Sequence, residues 1–125
     1  MFNDQLLAGR RILVTGGGTA LGKSMAARFL QLGAEGHICG RRKSVCDETA
    51  TELMDEYGGR VVSHGVDIRN AMAVDEMIEA IWTSGPLTDL INNAAGNFIS
   101  RSEELSPRGF DAVANIVMHG TFYVT

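Results

Sequence analysis

Cysteine, proline and one-sided charge are all scarce in this sequence. The two cysteines, Cys39 and Cys46, fall in neither a Cys-x-x-Cys nor a zinc-finger spacing, which removes a disulfide framework and a structural metal site. Cys39 reads as a small core residue in an apolar strand, and Cys46 as a residue on a helix. A reduced, intracellular setting, taken here as cytoplasmic, is the simpler expectation. No stretch approaches the roughly 20 apolar residues of a membrane-spanning helix. The N-terminus carries no long apolar run of the secretory kind. The formal net charge of −4 gives no general electrostatic reason to bind nucleic acid or an anionic membrane. What remains is a chain whose length suits one compact domain, 45% apolar and able to bury a core.

The stretch Ile12 to Gly22 organises the reading. Ile12-Leu13-Val14 is a short apolar run, a glycine-rich turn follows at once, and Met25, Ala26, Phe29 and Leu30 then recur at helical spacing. Strand, glycine turn and helix in that order form a phosphate site, because glycines let the backbone approach a ligand and the helix aims free N–H groups at the anion. The plainer alternative is an ordinary turn rich in glycine. The dinucleotide pattern Gly-x-Gly-x-x-Gly does not fit, since the third glycine would fall on Leu21. Thr-Gly-x-x-x-Gly-x-Gly fits better, with Thr15, Gly16 and Gly22 matched and Ala20 replacing the middle glycine.

Taken in order, the pattern predicts strands over about 11–15, 35–40, 61–67 and 87–91. Helices are predicted over about 21–32, 44–57 and 71–83, with a further helix from Ser106-Pro107. Ser44 is a plausible cap of the second helix. The third carries Val74, Met77, Ile78 and Ile81 on one face. Alternating strands and helices imply an α/β fold: a Rossmann-type parallel sheet of order 3-2-1-4 with helices on both faces. Ligands bind such sheets beyond the carboxyl ends of the strands. Thr15, Arg41, Asp67 and Asn92-Asn93 all fall there.

The glycine turn, followed by Asn92-Asn93-Ala94-Ala95-Gly96 after the fourth strand, resembles the short-chain dehydrogenase/reductase family, whose members bind NAD or NADP. On these two markers the chain is identified as a member. The resemblance implies a dinucleotide held by Gly16, Gly18, Thr19, Ala20, Leu21 and Gly22, with Asn93, Ala94, Ala95 and Gly96 beside the cofactor ribose. The methyl of Ala20 either weakens that binding or is absorbed by a small backbone shift. At the end of strand two, where NAD sites usually place an acid, the chain has Arg41-Arg42-Lys43. An arginine pairs with a 2′-phosphate where an acid repels it, so the expected cofactor is NADP, or NADPH. The alternative is a solvated basic turn. Asp67 is expected to accept from the adenine amino group with Ile68 alongside, or else to cap the next helix.

The wording Asn93 to Ser100, then Glu104-Leu105-Ser106, resembles the 2,4-dienoyl-CoA reductase branch, as does the turn Thr15 to Thr19. That implies Asn97 orienting a thioester carbonyl, Phe98 against an acyl chain, and Arg69 and Ser106 on the CoA side. The plainer roles are turn residue, core residue, surface charge and helix cap. Val117 stands where many family members have a catalytic Asn; Asn115, two residues earlier, lies on another helix face and is not given that role. His119 reads as structural or exposed.

No catalytic residue is expected in this chain. Neither Tyr57 nor Tyr123 has the lysine four residues on that the family's Tyr-x-x-x-Lys pair requires, and hydride transfer needs a positioned proton donor. Residues 1–125 therefore read as the N-terminal half of a single NADP-binding domain, truncated before its catalytic second half and inactive alone. The parent would be an oxidoreductase of fatty acid metabolism. It would reduce a 2,4-dienoyl-CoA or a related enoyl- or 3-ketoacyl-CoA and form a homo-oligomer. The alternative is a non-catalytic NADP-binding or protein-interaction module of this length. A methyltransferase of the S-adenosylmethionine type would want an acid in place of Arg41. A response regulator would need an acidic pocket that Thr15-Gly16 does not offer.

Overall fold

The computed structural model describes residues 5–18, 20–94 and 124–125. Four parallel strands, β1 (Arg11–Thr15), β2 (Glu35–Gly40), β3 (Val61–Gly65) and β4 (Asp89–Ile91), form one sheet of order β3-β2-β1-β4. Between them run α1 (Ala20–Gln31), α2 (Lys43–Tyr57) and α3 (Ala71–Ser84). This is the expected Rossmann-type half-sheet.

β1 and β2 are buried along most of their length because both faces of the sheet are covered. Ile12 and Val14 of β1 pack with Ile38 and Val61 under Ala26 and Leu30 of α1 and Cys46, Ala50 and Leu53 of α2. Leu13 and Cys39 point the other way, onto Val74, Met77 and Ile81 of α3 and onto Val124. Ile78 packs at the edge of that second cluster. Period-two alternation thus divides the core into two layers.

Most boundaries match the sequence pattern, and the departures have local causes. Ser44 does not cap α2: the helix starts at Lys43, its N-cap is Arg42, and no side chain caps it. β3 ends at Gly65 and β4 starts only at Asp89. Before β4, the Thr88 side chain takes part in the ladder: its hydroxyl accepts from Arg11 N at 2.9 Å, while its own N–H reaches Arg11 O at 2.9 Å. The expected helix from Ser106 lies outside the described residues. Among the described residues no helix is long and apolar enough to cross a membrane.

Candidate dinucleotide site

All four strands point their carboxyl ends at one cavity of about 390 Å³, within the range of small-molecule sites. Its wall is built from the first turn (Gly16, Gly18, Leu21), the end of β2 (Cys39 to Arg42), the segment after β3 (Val66 to Ile68) and the residues after β4 (Asn93, Ala94). Val45 and Cys46 close it from the first turns of α2.

The glycine turn is shaped by close packing. Gly16 has φ +65°, and a Cβ there would stand 3.0 Å from the Cα of Ala94. Gly22 does not line the cavity; a Cβ on it would collide with the Gly16 carbonyl oxygen. One glycine lets β4 approach the turn, and the other seats α1 beneath it. Ala20 opens α1, whose N-terminal end follows the turn and so favours an anion.

A hydroxyl joins the ends of β1 and β4 at the site. Thr15 Oγ1 accepts the backbone N–H groups of Asn93 and Ala94, both at 3.0 Å, and donates to Ile91 O at 3.4 Å. The Asn93 side chain donates to Gly16 O at 3.3 Å. Asn93 therefore ties the strand ends together, whereas Asn92 is exposed and reaches Thr125 Oγ1 at 3.0 Å.

The arginines divide into those in ion pairs and those in none. Arg10, Arg11, Arg60 and Arg69 each face a carboxylate. Arg41 and Arg42 are exposed at the cavity, and neither makes an ion pair or side-chain hydrogen bond with another described residue. Asp67 lines the cavity but does not cap α3; Asn70 does, accepting from Ala73 N at 3.2 Å. Asp67 instead holds Arg69, at 2.6 Å from its Nη2 and 3.0 Å from its backbone N. That guanidinium keeps the Asp67 carboxyl below its ordinary range, with Arg41 adding to the effect against partial burial. Arg69, expected on the CoA side or as a surface charge, is the partner of Asp67 and lies outside the cavity lining.

Of the residues expected to hold the dinucleotide, the cavity brings together Gly16, Gly18, Leu21, Arg41, Arg42, Asp67, Ile68, Asn93 and Ala94. Thr19, Ala95, Gly96, Asn97, Phe98 and Ser106 lie outside the described residues. Sequence reading missed Cys39, Gly40, Val45, Cys46 and Val66. Val45 and Cys46 follow Arg42 by one helical turn, and that spacing was the available signal. Neither thiol is activated: burial pushes Cys39 up to about 12, and burial with Asp47 nearby raises Cys46. Among the described residues no cluster of His, Cys, Asp or Glu could hold a metal ion.

Sheet order and glycine turn define a Rossmann-like α/β protein with a cavity at the carboxyl ends of its strands. Comparison with known proteins narrows the class. The family model for short chain dehydrogenase matches residues 10–125, and the chain belongs to that family. It is 40% identical over 115 residues to a probable 2,4-dienoyl-CoA reductase of Bacillus subtilis (strain 168), covering 91% of this chain and 45% of that protein. The solved structure of a citronellol catabolism dehydrogenase (AtuB) from Pseudomonas aeruginosa PAO1 superposes with a TM-score of 0.92 at 34% identity, covering 99% of this chain and 51% of that one. The Pseudomonas aeruginosa RhlG/NADP active-site complex gives 0.89 at 29% identity, covering 99% and 48%. The chain spans less than half the length of the curated relatives it matches.

Proposed function

We propose that residues 1–125 form the cofactor-binding half of an NADPH-dependent short-chain reductase. Its substrate would be a 2,4-dienoyl-CoA or a related enoyl- or 3-ketoacyl-CoA. The observation that carries the cofactor reading is the pair Arg41 and Arg42: two guanidinium groups that form no ion pair with the described residues, at the end of β2 where NAD sites usually place an acid. Two guanidinium groups side by side at a cavity mouth suit a 2′-phosphate.

The cavity fits the rest of a dinucleotide. The Gly16 cradle, which a Cβ would fill, and the start of α1 suit the pyrophosphate. Asp67, kept ionised by Arg69, is an acceptor for the adenine amino group. Asn93 and Ala94 back the ribose, with Ala95 and Gly96 following in sequence. When bound, the nicotinamide supplies the hydride. The sequence holds no Tyr-x-x-x-Lys, so this chain orients a cofactor and lacks the family's proton donor. The acyl-CoA class is supported by relatives that carry the dienoyl-CoA reductase name and by the likeness of the run Asn97-Phe98 to that branch, with Ser106 on the CoA side. A homo-oligomer and a cytoplasmic setting belong to the same reading.

Titration calorimetry of the chain with NADPH and NADH tests the cofactor. The expected result is NADPH tighter by about tenfold or more, with the preference lost in Arg41→Glu. Equal affinities in the parent chain would overturn the NADP assignment. Dienoyl-CoA reduction by residues 1–125 alone would overturn the division of labour.

A further inference from the structure

Three helical threonines use their hydroxyls differently. Thr51 donates to Asp47 O at 3.0 Å and Thr83 to Glu79 O at 2.8 Å. Both are the common back-bond to the carbonyl four residues earlier. Thr49 does not take the equivalent Val45 carbonyl. It reaches out of α2 and donates to Gly18 O at 2.6 Å, across 31 residues of sequence. Thr49 is 4% exposed and sits in the apolar stripe Cys46, Ala50, Leu53, where valine or alanine would pack without a hydroxyl to satisfy.

Gly18 lines the cavity. Its carbonyl oxygen carries partial negative charge, and pointed into an anion site it would repel the ligand. Drawn onto Thr49, that oxygen is both neutralised by a donor and held against α2. We infer that Thr49 is a positioning residue for the anion-binding turn: its hydroxyl sequesters the Gly18 carbonyl and leaves the turn's donors to face a diphosphate. The inference rests on the dinucleotide reading of the cavity and adds to it a residue from a different element. α2 thereby acts on the site twice, through Val45 and Cys46 at the wall and through Thr49 behind the turn.

The test is calorimetric titration with NADP⁺ of the wild-type chain, Thr49→Val, Thr49→Ala and Thr49→Ser, well below each thermal midpoint. Valine keeps the shape and loses the hydroxyl; alanine, the better helix former, serves if valine disturbs the fold. The expected result is a dissociation constant raised about tenfold in the valine and alanine variants, the worth of roughly one hydrogen bond, and restored to within about twofold in serine. A residue that merely supports the fold would move the thermal midpoint and leave affinity unchanged. Folded valine or alanine variants that bind like wild type would overturn the inference, as would a serine variant as weak as valine. If the wild-type chain takes up neither NADP⁺ nor NAD⁺, the dinucleotide reading itself fails and the role of Thr49 fails with it.

Discussion

Thr15 Oγ1 lies 3.0 Å from the backbone nitrogen of Asn93 and accepts its proton, so the end of β1 is bound to the end of β4 by a side chain. The same oxygen takes the next N–H, from Ala94, and Thr15 is 1% exposed.

Replacing Thr15 by valine keeps its shape, leaves the Ala94 amide without its acceptor and leaves the Asn93 amide with Ile91 O alone, at 3.1 Å. An unsatisfied buried donor costs about 1–3 kcal/mol. Chemical denaturation should show Thr15→Val less stable by about 1–3 kcal/mol, and Thr15→Ser within about 1 kcal/mol of wild type. Equal stability of valine and wild type would show that water replaces the hydroxyl.

Gly22→Ala is expected to destabilise the chain by about 2–3 kcal/mol. The added methyl meets the Gly16 carbonyl, which is backbone and cannot rotate away. The same variant should weaken NADP⁺ binding, because the collision displaces the turn itself. Denaturation and titration of one preparation measure both.

Stability should fall in mild acid, through a histidine pair on the α3 side of the sheet. His37 Nδ1 lies 3.1 Å from His64 Nε2, and the rings stack with centroids 5.4 Å apart. Glu35 Oε2 lies 3.1 Å from His37 Nε2, and Arg11 Nη2 lies 3.3 Å from the same nitrogen. Burial, then the neighbouring His37, pushes His64 down to about 4; burial also lowers His37 against the pull of Glu35. The unfolded chain therefore binds more protons than the folded one between about pH 6.5 and 4. Stability is complete above that window and is lost as pH falls through it, by on the order of 2 kcal/mol. Urea midpoints at pH 7 and 4.5 should differ in the wild type and converge in His64→Asn; a flat profile in the wild type would contradict the pairing.

Removing the Arg69 guanidinium should release Asp67. In Arg69→Gln, carbon-detected NMR titration is expected to place the Asp67 carboxyl higher than in the wild type, toward its ordinary value, since the Arg69 hydrogen bond is the largest influence holding it down. No upward movement would assign the depression to Arg41 instead.

The elements of this fold were legible where local pattern and burial agree. β1 and β2 have the bounds expected of them, Arg11–Thr15 and Glu35–Gly40, and the sheet order followed from alternation and crossover handedness. The ends were less legible where the deciding contact is remote. Thr88 looked like strand, but its hydroxyl substitutes in the ladder with Arg11, 77 residues away. Ser44 looked like a cap, but α2 starts one residue earlier with Arg42 as its N-cap. At the site, residues at strand ends were found because topology sends them there. Val45, Cys46 and Thr49 were not, because a helix approaching a cavity sideways leaves no mark at any strand end. His37 and His64 were invisible for a related reason: their 3.1 Å contact joins β2 to β3 across 27 residues.

The central position of β1 also dictates an order of assembly. Its partner on one side, Glu35, is 24 residues from Arg11; on the other, Thr88 is 77 residues away. Closing the longer loop costs about 1 kcal/mol more in chain entropy, so pairing with β2 has the head start and β4 arrives on an edge already in place. Asn93 and Ala94 travel with β4. On the ribosome, the nascent chain can join β1, β2 and β3 while the segment carrying Asn93 and Ala94 is still being synthesised, and the cavity at the strand ends closes as a late event of folding.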